Sequence, residues 1–393
     1  MLSATQHAAV TSDAARPLQI LAGPGSGKTR VLTSRVAWLV RDSATPIAPE
    51  RCVVVTFTNR AANEMRARLE SMIGADRTRR LVLGTFHAVC VRFLRRWGAR
   101  CLGLDPRFTI ADTDDARRLL RDVDRDADAA LSAISRAKAH GWTPDELRAS
   151  GTHAPGSPGH AEHLALCRTY AAYQQQLRAS HALDFDDLLL LGVRLFREHP
   201  ELTAHIDHVL VDEFQDTNAV QYELLCRLSP HVSVVGDPDQ SIYSWRHADI
   251  RHIERMHLDF PGLHRVLLEE NYRSTPQILD AALSVMQQDP LRIPKGLYTA
   301  LASGPPVVVR ACHDADDEAL LVARDIRQHA RTTPYAHMSV LLRTTAHSRP
   351  FESVFHRLNI PYRLLGGVRF FDRAEVRDLL AYLTLADNLA YTP

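Results

Sequence analysis

Short, unbroken apolar runs punctuate the first two thirds of the chain: LQIL (18–21), CVVVTF (52–57), LVLGT (81–85), HVLVD (208–212), VSVVG (232–236) and HRVLL (264–268). Runs of Val and Leu without polar alternation suit strands buried on both faces, as in a parallel sheet covered by helices. Helical patterns fill the intervals, so the pattern predicts an α/β, doubly wound domain. Between residues 97 and 182 the strand signal stops and the text turns Ala-, Arg- and Asp-rich, as in DTDDARRLLRDVDRDADAALSAISRAKAHG. This reads as a helical subdomain inserted between two strands, with an exposed Pro/Gly/His/Ser loop at 152–160. Further strands are predicted at 307–311, 338–342 and 362–364, with helices between them. No repeat at a solenoid period is evident.

Composition narrows the class. The chain has 393 residues, of which 45% are hydrophobic and 24% charged, enough apolar material for two or three domains. No apolar run reaches the roughly 18 residues a membrane span needs, and MLSATQHAAV lacks the basic-then-apolar order of a secretory signal. Six cysteines (52, 90, 101, 167, 226, 312) form no CxxC pair, which disfavours a disulfide scaffold or zinc ribbon and predicts an intracellular protein. Twenty histidines include HADIRHIERMH, but a spacing of five turns them about 140° apart on a helix, so they do not converge on one ion. Lys plus Arg is 47 against 46 Asp plus Glu, so no global basic surface announces a nucleic-acid binder. Only Lys28, Lys138 and Lys295 are lysines; in so Arg-rich a chain each one invites attention.

Lys28 sits in LQILAGPGSGKTRVLTSR, a glycine-rich turn between an apolar strand and an amphipathic helix. That is the context of a phosphate-binding loop, in which Ala22, Gly23, Pro24, Gly25, Ser26 and Gly27 would wrap phosphates. Lys28 would neutralise them, the Thr29 hydroxyl would ligate Mg²⁺, and Arg30 follows in the first helical turn. The strict pattern has Gly where this chain has Ala22. VLVDEFQDT supplies the second requirement, a strand ending in Asp212, to hold Mg²⁺, and Glu213, to polarise an attacking water. Together the two segments predict hydrolysis or transfer of a nucleoside triphosphate.

In order along the chain, the remaining segments resemble the signature motifs of the UvrD/Rep/PcrA group of superfamily 1 DNA helicases. Gln6 resembles the glutamine that reads adenine, AGPGSGKT motif I, VTFTNRAANEM (55–65) motif Ia, and VDEFQDT motif II. GTFHAVCVRFLR (84–95) is similar to a DNA-contacting segment and LDFDDLLLL (183–191) to the acidic segment after the inserted domain. VVGDPDQSIYSWRHAD (234–249) resembles motif III and LEENYRSTPQIL (268–279) motif IV. The resemblance implies a P-loop RecA-like sheet lobe (1–96 and 183–275), a helical insertion (97–182) and an incomplete second RecA-like lobe (276–393). It implies ATP and Mg²⁺ as cofactors, Gln240 as a γ-phosphate sensor and Arg273 as an arginine finger from the second lobe. Tyr272 and Arg35 would pack around adenine. Phe57, Asn59, His87, Tyr243, Trp245 and Arg246 would line a single-strand groove, where bases stack on aromatic faces.

The implied activity is 3′ to 5′ translocation on single-stranded DNA and unwinding at duplex/single-strand junctions, in repair or recombination. No segment resembles motifs V and VI, so turnover is expected to be roughly 10³ to 10⁵-fold impaired by a missing second finger. An ATP-responsive DNA-binding protein without unwinding activity is the alternative, and a small-molecule kinase is disfavoured because motif III has no role in one. RIPKGLYTA (292–300) resembles fungal UvrD-type anti-recombination helicases, which would mean a nuclear setting; a bacterial source would mean cytoplasm.

Overall fold

Each of the six apolar runs of the first two thirds forms a strand, and the six associate into one all-parallel sheet. In the computed structural model, which describes residues 2–151, 158–289, 292–365 and 374–388, these are β1 (Leu18–Ala22), β2 (Cys52–Thr56), β3 (Val82–Thr85), β6 (His208–Val211), β7 (Val232–Gly236) and β8 (His264–Leu268). Their spatial order is β3-β2-β6-β7-β1-β8. The register pairs Leu18 with Ser233 on one side of β1 and with His264 on the other.

The unbroken apolar runs are explained by burial on both faces. Successive side chains of a strand point to opposite sides, and here each side meets helices. Val53, Val55, Val209, Val211 and Val234 join one core with Val89, Phe93 and Leu188. Leu18, Ile20, Cys52, Val54, Leu210 and Val235 join the other with Val31, Val36, Met65 and Leu69. The edge strands β3 and β8 are only partly covered.

Between β3 and β6 the chain leaves the sheet. Helices Thr113–Arg121, Ala127–Ala139, Pro144–Ala149 and Pro158–Ala179 build a separate core around Leu120, Ile134, Tyr170 and Tyr173. The insertion is not wholly helical. β4 (Thr109–Ala111) and β5 (Ala182–Asp184) pair in parallel at its two ends, Thr109 opposite Ala182. Three-residue strands this far apart in sequence carry too little periodicity to be read locally. Most of the predicted 152–160 loop lies outside the described residues.

The chain divides into two compact units, Met1–Pro305 with Thr384–Pro393, and Pro306–Leu383. In the second, helices Ala315–His329 and Ser348–Arg357 pack through Ala319, Ala323, Phe351 and Phe355. The strands predicted at 307–311, 338–342 and 362–364 are not formed, and no strand occurs among this unit's described residues. A strand exists only through its ladder partners. Without them the apolar side chains of Val308, Val309 and Leu341 stay exposed.

Candidate nucleotide and nucleic-acid site

Because the strands are parallel, their carboxyl ends share one rim, where α/β sheets bind ligands. β1 ends at fully buried Ala22, and the glycine-rich loop turns there. Gly25 (φ 67°) and Gly27 (φ 85°) take left-handed conformations, which a side chain would disfavour; Ala22 does not, so the departure from the strict pattern falls where no glycine is needed. Gly27 caps helix Lys28–Ala37, whose unpaired N–H groups and dipole favour an anion at the loop. Ser26 Oγ donates to Gly23 O (2.7 Å). Gln6, 3% exposed, accepts from Ser3 N–H (3.0 Å) and donates through Nε2 to Ser26 O (2.8 Å). The segment after β8 closes the other side. Asn271 Nδ2 donates to Pro24 O (2.7 Å), Tyr272 N–H to Gly25 O (3.0 Å), and a Cβ on Gly25 would stand 2.8 Å from Arg273 Cβ. Tyr272 is half exposed beside the loop, its hydroxyl donating to Glu270 (2.5 Å). Thr29 and Arg30 lie in the helix's first turn.

Lys28 Nζ donates to Gln240 Oε1 (2.8 Å) and stands 3.9 Å from Asp237 Oδ2. Asp237, wholly buried, accepts from Gln240 Nε2 (2.7 Å). Asp212 and Glu213 follow β6. Glu213 adopts φ 49°, an uncommon conformation for a non-glycine residue of the kind that clusters at functional sites. Burial first, and then the adjacent Glu213, push the Asp212 carboxyl up to about 7; the same two causes push Asp216 up to about 6. A carboxylate desolvated without a neutralising partner is one that a cation would stabilise. Among the described residues no cluster of three or more His, Cys, Asp or Glu could hold a metal by itself. The hard oxygens of Thr29 and Asp212 suit Mg²⁺, which takes few protein ligands and completes its shell with water and phosphate.

A groove of about 760 Å³ opens beside this rim, lined by Phe57, His87, Arg136, Phe185, Asp186 and Trp245. Phe57 and Tyr243 lie tilted at 4.9 Å, Tyr243 and Trp245 at 6.0 Å, and His87 meets Phe185 edge-on at 5.9 Å. Trp245 is 64% and Phe185 48% exposed, which core packing would not leave. Burial pushes His87 down to about 4, so its ring is neutral. Asn59 is exposed at the start of helix Asn59–Ile73. The Arg246 side chain lies outside what is described.

Two expectations change. Arg35 does not face the nucleotide loop: it is completely buried, with its guanidinium donating to Ser233 Oγ (2.7 Å) and to the carbonyls of Val10 (3.0 Å) and Ser12 (2.8 Å). Burial lowers it to about 10; it ties the N-terminal segment to the sheet. Arg273 belongs to the same compact unit as the loop rather than to the second unit, and its Cβ lies beside Gly25.

Sequence reading also passed over four residues. Gln215 donates to Glu213 (2.9 Å) and accepts from Asp237 N–H (3.0 Å), bridging two strand ends; a Cβ on Gly236 would stand 2.8 Å from its oxygen. Asn271 holds the glycine-rich loop, Asp237 orients Gln240, and Phe185 faces the groove. Phe185 had a legible signal, an aromatic opening the acidic helix in LDFDDL.

A parallel sheet with a glycine-rich loop after β1, an acidic pair after β6 and a glutamine bonded to Lys28 after β7 defines a P-loop protein of RecA-like fold. The match to known families is more specific. The UvrD/REP helicase N-terminal domain matches residues 2–261 and the UvrD-like helicase C-terminal domain residues 266–390. The chain belongs to the UvrD/REP helicase family. It is 40% identical over 389 residues to the ATP-dependent DNA helicase PcrA of Staphylococcus epidermidis, covering 95% of this chain and 52% of that protein, and stands in the same relation to the PcrA of Staphylococcus aureus. The chain thus spans about half the length of these curated relatives. They are bacterial, and the fungal affinity and nuclear setting read from 292–300 find no support.

Proposed function

We propose that the chain carries the ATP-binding lobe (1–96 and 183–275), the helical insertion (97–182) and part of the second lobe (276–393) of an ATP-dependent DNA helicase. It would move 3′ to 5′ on single-stranded DNA and separate strands at duplex junctions, in repair or recombination in a bacterial cytoplasm. One observation carries this reading. The stretch from Asp237 to Trp245 touches Lys28 through Gln240 at one end and Phe57 through Tyr243 at the other. A change in what Lys28 binds is therefore transmitted within a few residues to the groove's aromatic wall.

In the proposed roles, the loop from Ala22 to Gly27 and Lys28 bind the phosphates, with Gln6, Arg30 and Tyr272 around the base. Thr29 and Asp212 hold Mg²⁺, which when bound neutralises phosphate charge. Glu213, aimed by Gln215, orients and deprotonates the attacking water. Gln240 exchanges its bond to Lys28 for one to the terminal phosphate, and Arg273 stabilises charge developing on it. Phe57, Asn59, His87, Tyr243, Trp245 and Arg246 grip the strand, and stacking makes that grip indifferent to base identity.

The test is Mg²⁺-ATP binding and ATP turnover with and without single-stranded DNA, alongside strand separation on a 3′-tailed duplex. Lys28→Ala is expected to weaken ATP binding by at least about tenfold and to abolish DNA-stimulated turnover. Equal ATP affinity in wild type and variant would refute the assignment of the phosphate site. ATP-dependent DNA binding without strand separation would limit the function to gripping.

A further inference from the structure

Lys295 lies in the 292–300 segment and is buried at 7% exposure. Its ammonium pairs closely with Asp237 and stands 3.1 Å from Asp239; Arg292 pairs with Asp239 at 3.0 Å. The segment is anchored independently of this charge. Gly296 N–H donates to Glu269 Oε1 (2.6 Å), Tyr298 N–H to Glu269 O (3.1 Å), and Asn271 N–H to Tyr298 O (2.8 Å). A Cβ at Gly23 would collide with Leu297. The strap carrying Lys295 is therefore packed against the glycine-rich loop.

The charge balance gives Lys295 a role. Two buried carboxylates, Asp237 and Asp239, face three cations: Arg292, Lys295 and, at 3.9 Å from Asp237, Lys28. Arg292 serves Asp239 and Lys295 serves Asp237, which leaves Lys28 bonded to the neutral Gln240 amide. Without Lys295, Asp237 would be a buried charge whose nearest remaining cation is Lys28. Attraction across such a distance in a desolvated site competes with a phosphate for the lysine.

We propose that Lys295 is a positioning residue of the nucleotide site: by neutralising Asp237 it keeps Lys28 available for phosphate and Asp237 available to aim Gln240. This deepens the ATP-binding reading and rests on it. Lys295 touches neither phosphate nor water in this role; it acts through Asp237.

The experiment measures the affinity of a fluorescent ATP analogue with Mg²⁺, at a temperature well below each variant's melting midpoint. Wild type, Lys28→Ala, Lys295→Met and the double variant Lys295→Met/Asp237→Asn are compared. Lys295→Met is expected to bind at least about tenfold more weakly. The double variant, which removes both members of the pair and leaves Asp239 with Arg292, is expected to return to within about threefold of wild type. Wild-type affinity in folded Lys295→Met, or no recovery in the double variant, overturns the proposal. Should Lys295→Met not fold, the double variant decides alone: binding within threefold of wild type supports the proposal and tenfold weaker binding overturns it. If wild type and Lys28→Ala bind alike, the ATP-binding reading itself fails, an outcome distinct from any of these.

Discussion

Lys138 offers the sharpest test of how the helical insertion is fastened to the sheet lobe. It is fully buried on helix Ala127–Ala139 and pairs with Asp184 at 2.5 Å and Asp187 at 2.8 Å. Tyr173 Oη donates to the same Asp184 oxygen (3.0 Å) and Gln174 Nε2 to Asp187 (2.9 Å). Burial acts to lower the lysine's basicity, but the two carboxylates outweigh it and raise it. Burial alone would raise Asp184; Lys138 overrides it and holds the group below the usual range. Asp187 is raised, by burial and then by Asp184. The two aspartates also form the capping box of helix Phe185–Glu198, so the same charges set where Phe185 and Asp186 enter the groove.

Lys138→Met keeps the side chain's bulk and removes the charge. Deleting one partner of a buried ion pair costs about 3–5 kcal/mol, and with an unfolding entropy of about 2.1 cal/mol/K per residue over a unit of about 300 residues the melting midpoint should fall by roughly 5–8 °C. The deficit should depend on pH with a definite sign. Without the ammonium, both aspartates have folded-state pKa values above the unfolded value of about 3.9. Their penalty is then full above those raised values and fades as acid protonates them. Urea unfolding of wild type and variant at pH 7 and pH 5 reads this directly: the gap should narrow at pH 5, because the variant's penalty fades while wild type keeps the stability of its depressed Asp184, which is lost only below the unfolded value of about 3.9. A deficit below about 1 kcal/mol at pH 7, or one that does not shrink on acidification, would refute the claim that the pair is a buried electrostatic fastening.

Two further outcomes are expected. Arg35→Met should lower stability by roughly 3 kcal/mol, since buried carbonyls lose a charged donor, while the ratio of ATP to GTP affinity stays unchanged; a selective loss of ATP affinity would restore Arg35 to the adenine. Asp186 is pushed up to about 6 by burial and then by Asp184 and lines the groove, so protonation below that value should favour a polyanion. Wild-type affinity for single-stranded DNA should rise about two- to threefold between pH 7 and 5.5, beyond the change seen in Asp186→Asn, which should bind more tightly than wild type at pH 7. His87 is held down to about 4 by burial, so it contributes little to that difference. Equal pH profiles in the two proteins would dismiss Asp186 as the titrating group.

The sheet was legible because its strands are sandwiched: each needs apolar residues on both faces, and that demand writes unbroken Val and Leu runs into the chain. The glycine-rich loop and the acidic pair were legible for a related reason, since a tight turn and a polar cluster at the end of a strand require particular residues at fixed local spacing. Long-range pairing leaves no such trace. Nothing in the text around residue 295 says that its lysine neutralises Asp237, or that Lys138 meets Asp184 across 46 positions. The same holds for Arg35, whose partners are mostly backbone carbonyls, groups that every residue carries and no motif can mark. The unformed strands of the second unit show the converse, β-prone text without partners to pair with. Sequence alone determined the sheet and the family, and marked the glycine-rich loop and the acidic pair by their local spacing. Only the tertiary structure decided where the three lysines' charges are spent, because burial and counter-charge arise when distant segments meet.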